Sequence, residues 1–165
     1  MEEDVLDDWQ WHRDGRFPKG ADPVQAYIHI AVFTAWLSRR ELIDRAALPN
    51  DASRAALDEL EGDAGSIIAL LAPTDGRLLI SFMTPEGRGF ASAYYAPEYG
   101  YARDWQHTFG RRADVYAVPG NWETYRQLEP ILDHRYEEWV AAGRPELTRL
   151  PGLTGRLARL LDRRR

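Results

Sequence analysis

The sequence predicts an all-α fold: a mainly helical single domain of about five to seven helices, with at most a small β-ribbon. Three observations predict it. Apolar residues recur at helical spacing along much of the chain, and Asp, Asn and Thr stand where helix N-caps are expected. The 165 residues are 44% hydrophobic and 28% charged, which is globular composition. We assign residues 1–143 to one helical domain and residues 144–165 to an arginine-rich C-terminal tail or helix.

The N-terminal segment is not predicted to be helical. Residues 1–8 are acidic, and we expect them to be mobile. Residues 9–20, WQWHRDGRFPKG, contain two glycines and a proline, which exclude a long helix, yet they carry two tryptophans and Phe17. This second stretch is therefore expected to be extended or turned, with its aromatic rings packed into the core.

The first predicted helix is the central one. Asp22 can cap free amide groups, Pro23 suits the first helical position, and Gln25 stands three residues after the cap. Between residues 27 and 37 only His29 and Thr34 are polar. A helix that is apolar nearly all round is expected to be buried in the middle of the domain.

The later secondary-structure elements are predicted from capping residues and helix-breaking residues. Asn50 or Asp51 caps a helix that runs to about residue 61, whereas the short apolar runs of residues 66–83 fit a strand as well as a helix.

Further helices are predicted to begin at Thr84-Pro85, at Pro97 and at Asn121. Pro130 should kink or split the last of these, because proline lacks an amide hydrogen and collides with the preceding turn.

Composition excludes several functional classes. The absence of cysteine excludes disulfides, thiolate catalysis and cysteine-ligated metals. No apolar run approaches the roughly 20 residues of a membrane span, and the N-terminus is acidic where a secretory signal is basic, so a cytoplasmic location is expected. The net charge is −5, and residues 144–165 are basic, so the remaining body is strongly acidic. Such a body repels nucleic acids and anionic membranes and attracts a basic protein partner.

Motifs that carry chemistry are scarce. The sequence has no phosphate-binding loop, no nucleophile elbow and no His-Glu-x-x-His pair. Asp104 and His107 share one helical face, but a metal would need further ligands, so the pair is more simply a local hydrogen bond. We therefore predict no metal, no cofactor and no catalytic residue.

His29 is the one candidate for a polar centre. A buried histidine needs partners for both ring nitrogens, so it is either a satisfied core residue or part of a pocket that could include an acid–base group. The residues of such a pocket are predicted to be Trp11, His12, His29, Tyr95 and Asp104.

A partner-binding surface is the second candidate. Tyrosines cluster where two predicted helices meet, a position that is commonly exposed, and carboxylates cluster on the helix that ends near residue 61. The predicted partner-binding residues are Tyr94, Tyr95, Tyr99, Tyr101, Asp104, Asp58, Glu59, Glu61 and Asp63.

Several separated motifs occur in a familiar order: Trp11-His12, Phe17-Pro18, His29-Ile30, Tyr94-Tyr95 and Tyr101-x-x-Asp104. With Trp36, they span most of residues 9–140, and the pattern resembles a family of small uncharacterised bacterial proteins. The chain departs from that pattern at residues 31–32, Ala-Val where the family has Gly-Met, and in its arginine-rich tail. By analogy, such small acidic proteins are similar to the immunity proteins of bacterial toxin systems.

Two functions are therefore expected from the sequence. The first is a non-catalytic cytoplasmic binding protein, an immunity or antitoxin-like inhibitor whose carboxylates steer a cationic toxin domain and whose aromatic residues anchor it. The alternative is a small-ligand binder or an enzyme that uses a pocket centred on His29.

Overall fold

The computed structural model describes residues 4–14, 17–62, 65–95, 100–110 and 112–145. Within these residues the domain is predominantly helical, as predicted, with six α-helices and one two-stranded antiparallel sheet. The strands are β1, Val5–Asp8, and β2, Arg77–Leu79. The helices are α1, Trp9–Arg13; α2, Ile28–Arg39; α3, Asp51–Glu61; α4, Pro85–Tyr94; α5, Tyr101–Phe109; and α6, Trp122–Ala141. Most of the predicted C-terminal tail, residues 146–165, lies outside the described residues.

Helix α2 lies at the centre of the domain, as its apolar sequence predicts. Its neighbours include α3, α6 and β2, and every residue from Ile30 to Ser38 is buried. Thr34 satisfies its hydroxyl by donating to the Ile30 carbonyl at 2.8 Å. The predicted cap, Asp22, accepts from the Val24 amide of a 3₁₀ turn, Pro23–Ala26, that precedes α2.

The expectation of a mobile N-terminus is wrong for Val5–Asp8. These residues form β1, which pairs with β2 in the register Val5↔Leu79, Asp7↔Leu78 and Asp8↔Arg77. The register shifts between Val5 and Asp7, a β-bulge or similar irregularity, and Asp7 is buried. The acidic composition of the segment conceals this structure, because the backbone partners lie 69 to 74 residues further along the chain. Residues 1–3 lie outside the described residues.

Two other local expectations need correction. The segment after β1 forms the short helix α1, because Asp8 caps it by accepting from the Gln10 amide. Trp11 is not packed into the core but is 59% exposed.

Helix α6 runs without a break through Pro130. Because proline has no amide hydrogen, the Arg126 carbonyl loses its helical donor. Both residues stand at exposed positions, where water can replace the missing hydrogen bond.

The ambiguous stretch at residues 66–83 resolves into turns, the strand β2 and a 3₁₀ turn at Ile80–Phe82. No helix among the described residues has both the length and the apolar character that a bilayer crossing needs.

Side-chain hydrogen bonds join the helices around the core. The indole of Trp36 on α2 donates to Asp133 of α6 at 2.8 Å. Arg135 of α6 donates twice to the buried Asp104 of α5, at 2.8 and 2.9 Å, and Tyr94 of α4 donates to the same carboxylate at 2.7 Å. These bonds fix α5 against α4 and α6, and α5 forms one wall of the cavity described next.

Candidate functional site

Three chemically active side chains meet where β1, α1 and α2 come together. Asp7 is carried by β1, His12 by α1 and His29 by the first turn of α2. The Nε2 atom of His12 lies 2.7 Å from Asp7 Oδ1, and the Nε2 atom of His29 lies 3.3 Å from Asp7 Oδ2. The two Nε2 atoms lie 3.0 Å apart. We call these three residues the His–His–Asp cluster.

The His–His–Asp cluster lines a cavity of about 310 Å³. Aromatic side chains form much of the remaining wall, with a few polar groups among them. The lining residues are Leu6, Asp7, Trp11, His12, His29, Tyr95, Tyr101, Ala102, Trp105, Gln106, Val115 and Tyr116. An aromatic cavity with a few convergent polar groups is the usual form of a small-molecule site.

Hydrogen bonds hold the cluster in place. The Tyr95 hydroxyl donates to Asp7 Oδ2, and the Asp8 amide donates to Asp7 Oδ1 at 2.8 Å. The Tyr101 hydroxyl donates to the main-chain carbonyl of His29 at 2.7 Å, which ties α5 to the first turn of α2. The carboxylate of Asp7 therefore has a fixed orientation before any ligand arrives.

Burial and hydrogen bonding set the protonation states of Asp7, His29 and Tyr95. Burial alone would raise the pKa of Asp7, but its hydrogen bonds with His12 and His29 outweigh that effect and hold the pKa well below its usual range. Burial lowers the pKa of His29, and the hydrogen bond with Asp7 opposes it only in part. Burial also raises the pKa of Tyr95 far above its usual value. Near neutral pH, Asp7 is thus a carboxylate, His29 is neutral and Tyr95 is a hydrogen-bond donor.

Trp105 adds an unused donor to the cavity wall. The residue is 3% exposed, and its indole N–H finds no acceptor among the residues that the structure describes. Its ring packs against those of His29 and Phe109. Because a buried donor without a partner is costly, this N–H is suited to an oxygen atom of a bound molecule.

Four of the five predicted pocket residues do converge. His12, His29, Tyr95 and the exposed ring of Trp11 all line the cavity. The fifth, Asp104, lies in the helical interface with Arg135 and Tyr94 and does not reach the cavity. Its position nine residues after Tyr95 gives no sign of this, because its partner Arg135 lies 31 residues further along the chain.

Asp7 is the site residue that sequence reasoning missed. It was absent from the predicted pocket because the segment that carries it was expected to be mobile. The apolar pair Val5-Leu6 directly before it is the one available signal for a strand, and two residues are too few to indicate one.

The predicted aromatic surface is not exposed. Tyr94, Tyr95 and Tyr101 are only 2%, 9% and 2% exposed, so they cannot offer rings to a partner without rearrangement. They are buried because each hydroxyl has an internal acceptor and each ring lies near Phe33 in the core. Tyr99 lies outside the described residues.

The predicted acidic surface is exposed in part. Asp58, Glu59 and Glu61 are exposed on α3, although Asp58 forms a bidentate ion pair with Arg45. Asp63 lies outside the described residues. A partner-binding role for these carboxylates stays a prediction.

The pair Asp104 and His107 does not begin a metal site. The carboxylate of Asp104 is taken up by Arg135 and Tyr94, while the side chain of His107 is exposed. Among the described residues, the group whose ligand-type atoms lie within reach of a single ion is the His–His–Asp cluster.

Comparison with known proteins identifies a family to which the chain is related. A family model for a domain of unknown function, DUF7832, matches residues 5–118. No curated protein and no solved structure matches the chain. The matched segment begins at β1 and contains all the described residues that line the cavity, whereas α6 follows it. The chain therefore belongs to the DUF7832 family.

Proposed function

We propose that this chain is a small-ligand-binding protein whose site is the cavity beside the His–His–Asp cluster. One observation carries the proposal: an oriented carboxylate and two histidines open onto an aromatic cavity whose wall includes Trp105, a residue with an unpartnered indole N–H. Its volume of about 310 Å³ falls at the lower end of the range of ligand sites. The cavity-lining residues that the structure describes all lie within the family domain, which supports a role shared by that domain.

The lining defines the kind of ligand. The volume of about 310 Å³ suits a small molecule. The rings of Trp11, Trp105 and Tyr116 favour a planar or apolar body. The indole N–H of Trp105 favours a carbonyl or carboxylate oxygen at one end. The proposed ligand class is thus a small aromatic or apolar molecule that carries such an oxygen.

A fragment titration tests this proposal. The probes are monocyclic carboxylates and amides, added singly to ¹⁵N-labelled protein in the presence of a chelator. We expect at least one probe to shift the indole N–H signal of Trp105, which is assigned with the variant Trp105→Phe. The shift should be downfield, because the N–H gains an acceptor.

A matched pair of variants tests whether the probes bind in the cavity. Ala102 lies at the cavity and Ala52 on α3, and both are exposed helical residues. Ala102→Phe should fill the cavity entrance and remove binding, whereas Ala52→Phe should leave it unchanged. The proposal fails if no probe moves the Trp105 signal, or if Ala102→Phe binds the probes as well as the wild type does.

A second candidate function rests on the exposed carboxylates of α3, Glu59 and Glu61, together with the negative net charge of the chain. In this proposal the chain is an immunity-like inhibitor that binds a cationic toxin domain, since opposite charge speeds association. The burial of Tyr94, Tyr95 and Tyr101 removes the aromatic anchors expected for it.

Growth rescue tests this second candidate. The chain is co-expressed with a toxic product of a neighbouring gene, as wild type, as Glu59→Lys/Glu61→Lys, and as Glu123→Lys/Glu137→Lys. The last variant makes the same charge change at exposed positions of α6. Rescue by the wild type and the α6 variant, with loss in the α3 variant, supports the candidate; equal growth of all strains rejects it.

A further inference from the structure

Three close contacts join the polar atoms of the His–His–Asp cluster. His12 Nε2 lies 2.7 Å from Asp7 Oδ1 and 3.0 Å from His29 Nε2, and His29 Nε2 lies 3.3 Å from Asp7 Oδ2. While Asp7 is ionised, no arrangement of protons makes all three contacts hydrogen bonds. If both Nε2 atoms carry a proton, two donors face each other across the 3.0 Å contact. If one or neither carries a proton, at least one contact joins two lone pairs. A cation bound to the two Nε2 atoms and the carboxylate turns every lone pair into an attractive contact.

The cluster has the size of a metal coordination sphere, since one ligand atom from each of the three residues lies within 4.8 Å of the other two. Metal–ligand bonds of about 2.0–2.2 Å to histidine nitrogen and carboxylate oxygen place neighbouring ligand atoms about 2.8–3.6 Å apart in octahedral or tetrahedral geometry. The contacts of 2.7, 3.0 and 3.3 Å lie in or next to this range. The two imidazoles and the carboxylate are therefore close to the arrangement that a single bound ion needs.

The donor set indicates which ions fit. Two imidazoles and one carboxylate form the ligand set of catalytic zinc sites and of non-haem iron(II) sites, both of which keep positions open for water or substrate. The hydroxyl of Tyr95 and the amide of Asp8 supply the outer hydrogen bonds that orient a ligating carboxylate. Calcium and magnesium prefer more oxygen ligands than this cluster offers.

We propose that Asp7, His12 and His29 bind one divalent transition-metal ion, with at least one coordination position open to the cavity. All three side chains line that cavity, so a ligand held there can reach the ion. The metal site does not depend on the proposed ligand function, because its three protein ligands are complete without a second molecule.

Calorimetric titration with Zn²⁺ tests the site, and Co²⁺ provides a visible absorption spectrum that reports nitrogen and oxygen coordination. Both use the full chain without a polyhistidine tag. We expect one ion per chain for the wild type. His12→Ala and Asp7→Asn should each weaken binding by more than about 100-fold, because the first removes a ligand and the second replaces an anionic carboxylate with a neutral amide. Tyr95→Phe should weaken it by about 10–100-fold, the usual effect of losing an outer hydrogen bond.

His107→Ala and His134→Ala are the matched controls, since both histidines are exposed and lie away from the cluster. They should bind the ion as the wild type does. His12 is also one-third exposed, so His12→Ala is expected to fold, and circular dichroism with a melting curve checks this. The proposal is overturned if the wild type binds no ion, if folded His12→Ala keeps full affinity, or if a control loses it. The fragment titration in chelator separates this failure from failure of the ligand site.

Discussion

Asp104 and Arg135 illustrate how single residues hold this fold. Both are almost fully buried, at 3% and 4% exposed, and they share two hydrogen bonds while Tyr94 donates a third to the same carboxylate. Burial lowers the pKa of Arg135, but its bonds to Asp104 outweigh this and raise the pKa above its usual value. A buried pair of this kind is costly to break because one partner is left charged in a poor solvent.

Replacing one partner should therefore destabilise the domain strongly. We expect Asp104→Asn to lower the free energy of unfolding by about 3–5 kcal/mol, because a buried charge loses the carboxylate that faces it. Urea denaturation measures the change. The double variant Asp104→Leu/Arg135→Met should lose less than the single variant, since both charges are then gone. A single-variant loss below about 1 kcal/mol would contradict this account of the pair.

The site itself was predictable from the sequence for some residues and not for others. His29 is identifiable because one strongly polar side chain interrupts an apolar helix, and His12 and Tyr95 follow as aromatic or polar residues in motif positions. Asp7 was not predictable, because its position depends on the pairing of β1 with a strand some 70 residues away. Asp104 was misplaced because its partner Arg135 stands 31 residues further along the chain.

At the scale of elements, close backbone contacts fix where α4 packs. The Thr84 amide donates to the Leu42 carbonyl at 2.9 Å, and a Cβ atom added at Gly87 would lie 2.5 Å from that same carbonyl oxygen. The glycine therefore allows α4 to approach the segment after α2 more closely than any other residue could.

Gly87→Ala tests this packing. Alanine favours a helix over glycine by about 1 kcal/mol, yet we expect a net loss of about 1–3 kcal/mol because the backbone of residue 42 must move. Thermal unfolding followed by circular dichroism measures the balance. Ser92→Ala, in the same helix, should stay within about 0.5 kcal/mol of the wild type. A more stable Gly87→Ala variant would show that the close approach of α4 to the Leu42 carbonyl does not require glycine at this position.

A pH-dependent contact joins α4 to the end of α6. Arg144 donates to the Glu86 carboxylate at 2.8 Å, and Tyr136 donates to the same oxygen at 2.8 Å. The hydrogen bond from Arg144, followed by that from Tyr136, lowers the pKa of Glu86. Because the folded pKa is below the unfolded one, the stabilisation is complete above the unfolded pKa and is lost as the pH falls through the folded pKa.

Glu86→Gln should thus lower stability near neutral pH by less than about 1 kcal/mol, since the pair is exposed and screened by solvent. The difference between variant and wild type should shrink as the pH is lowered through the acid range. Denaturation at several pH values measures it. A difference that is constant with pH would mean that the charge of Glu86 contributes nothing.

At the scale of the whole molecule, the helical class and the central position of α2 follow from the sequence because apolar periodicity and N-caps are local signals. The capping residues Asn50, Thr84 and Asn121 do cap α3, α4 and α6. The sheet and the cavity do not follow from it, since both arise where distant segments meet. The described residues that line the cavity all fall within residues 5–118, and α6 packs against this unit from outside the matched segment.

The central claim is that the functional centre of the molecule lies where β1, α1 and α2 meet. Anomalous diffraction from a crystal grown with Zn²⁺ tests it most directly. The claim predicts one strong peak about 2.0–2.2 Å from Asp7, His12 Nε2 and His29 Nε2, on the side that faces the cavity. A map with no peak there, or with its strongest peak at the exposed His107 or His134, would contradict it.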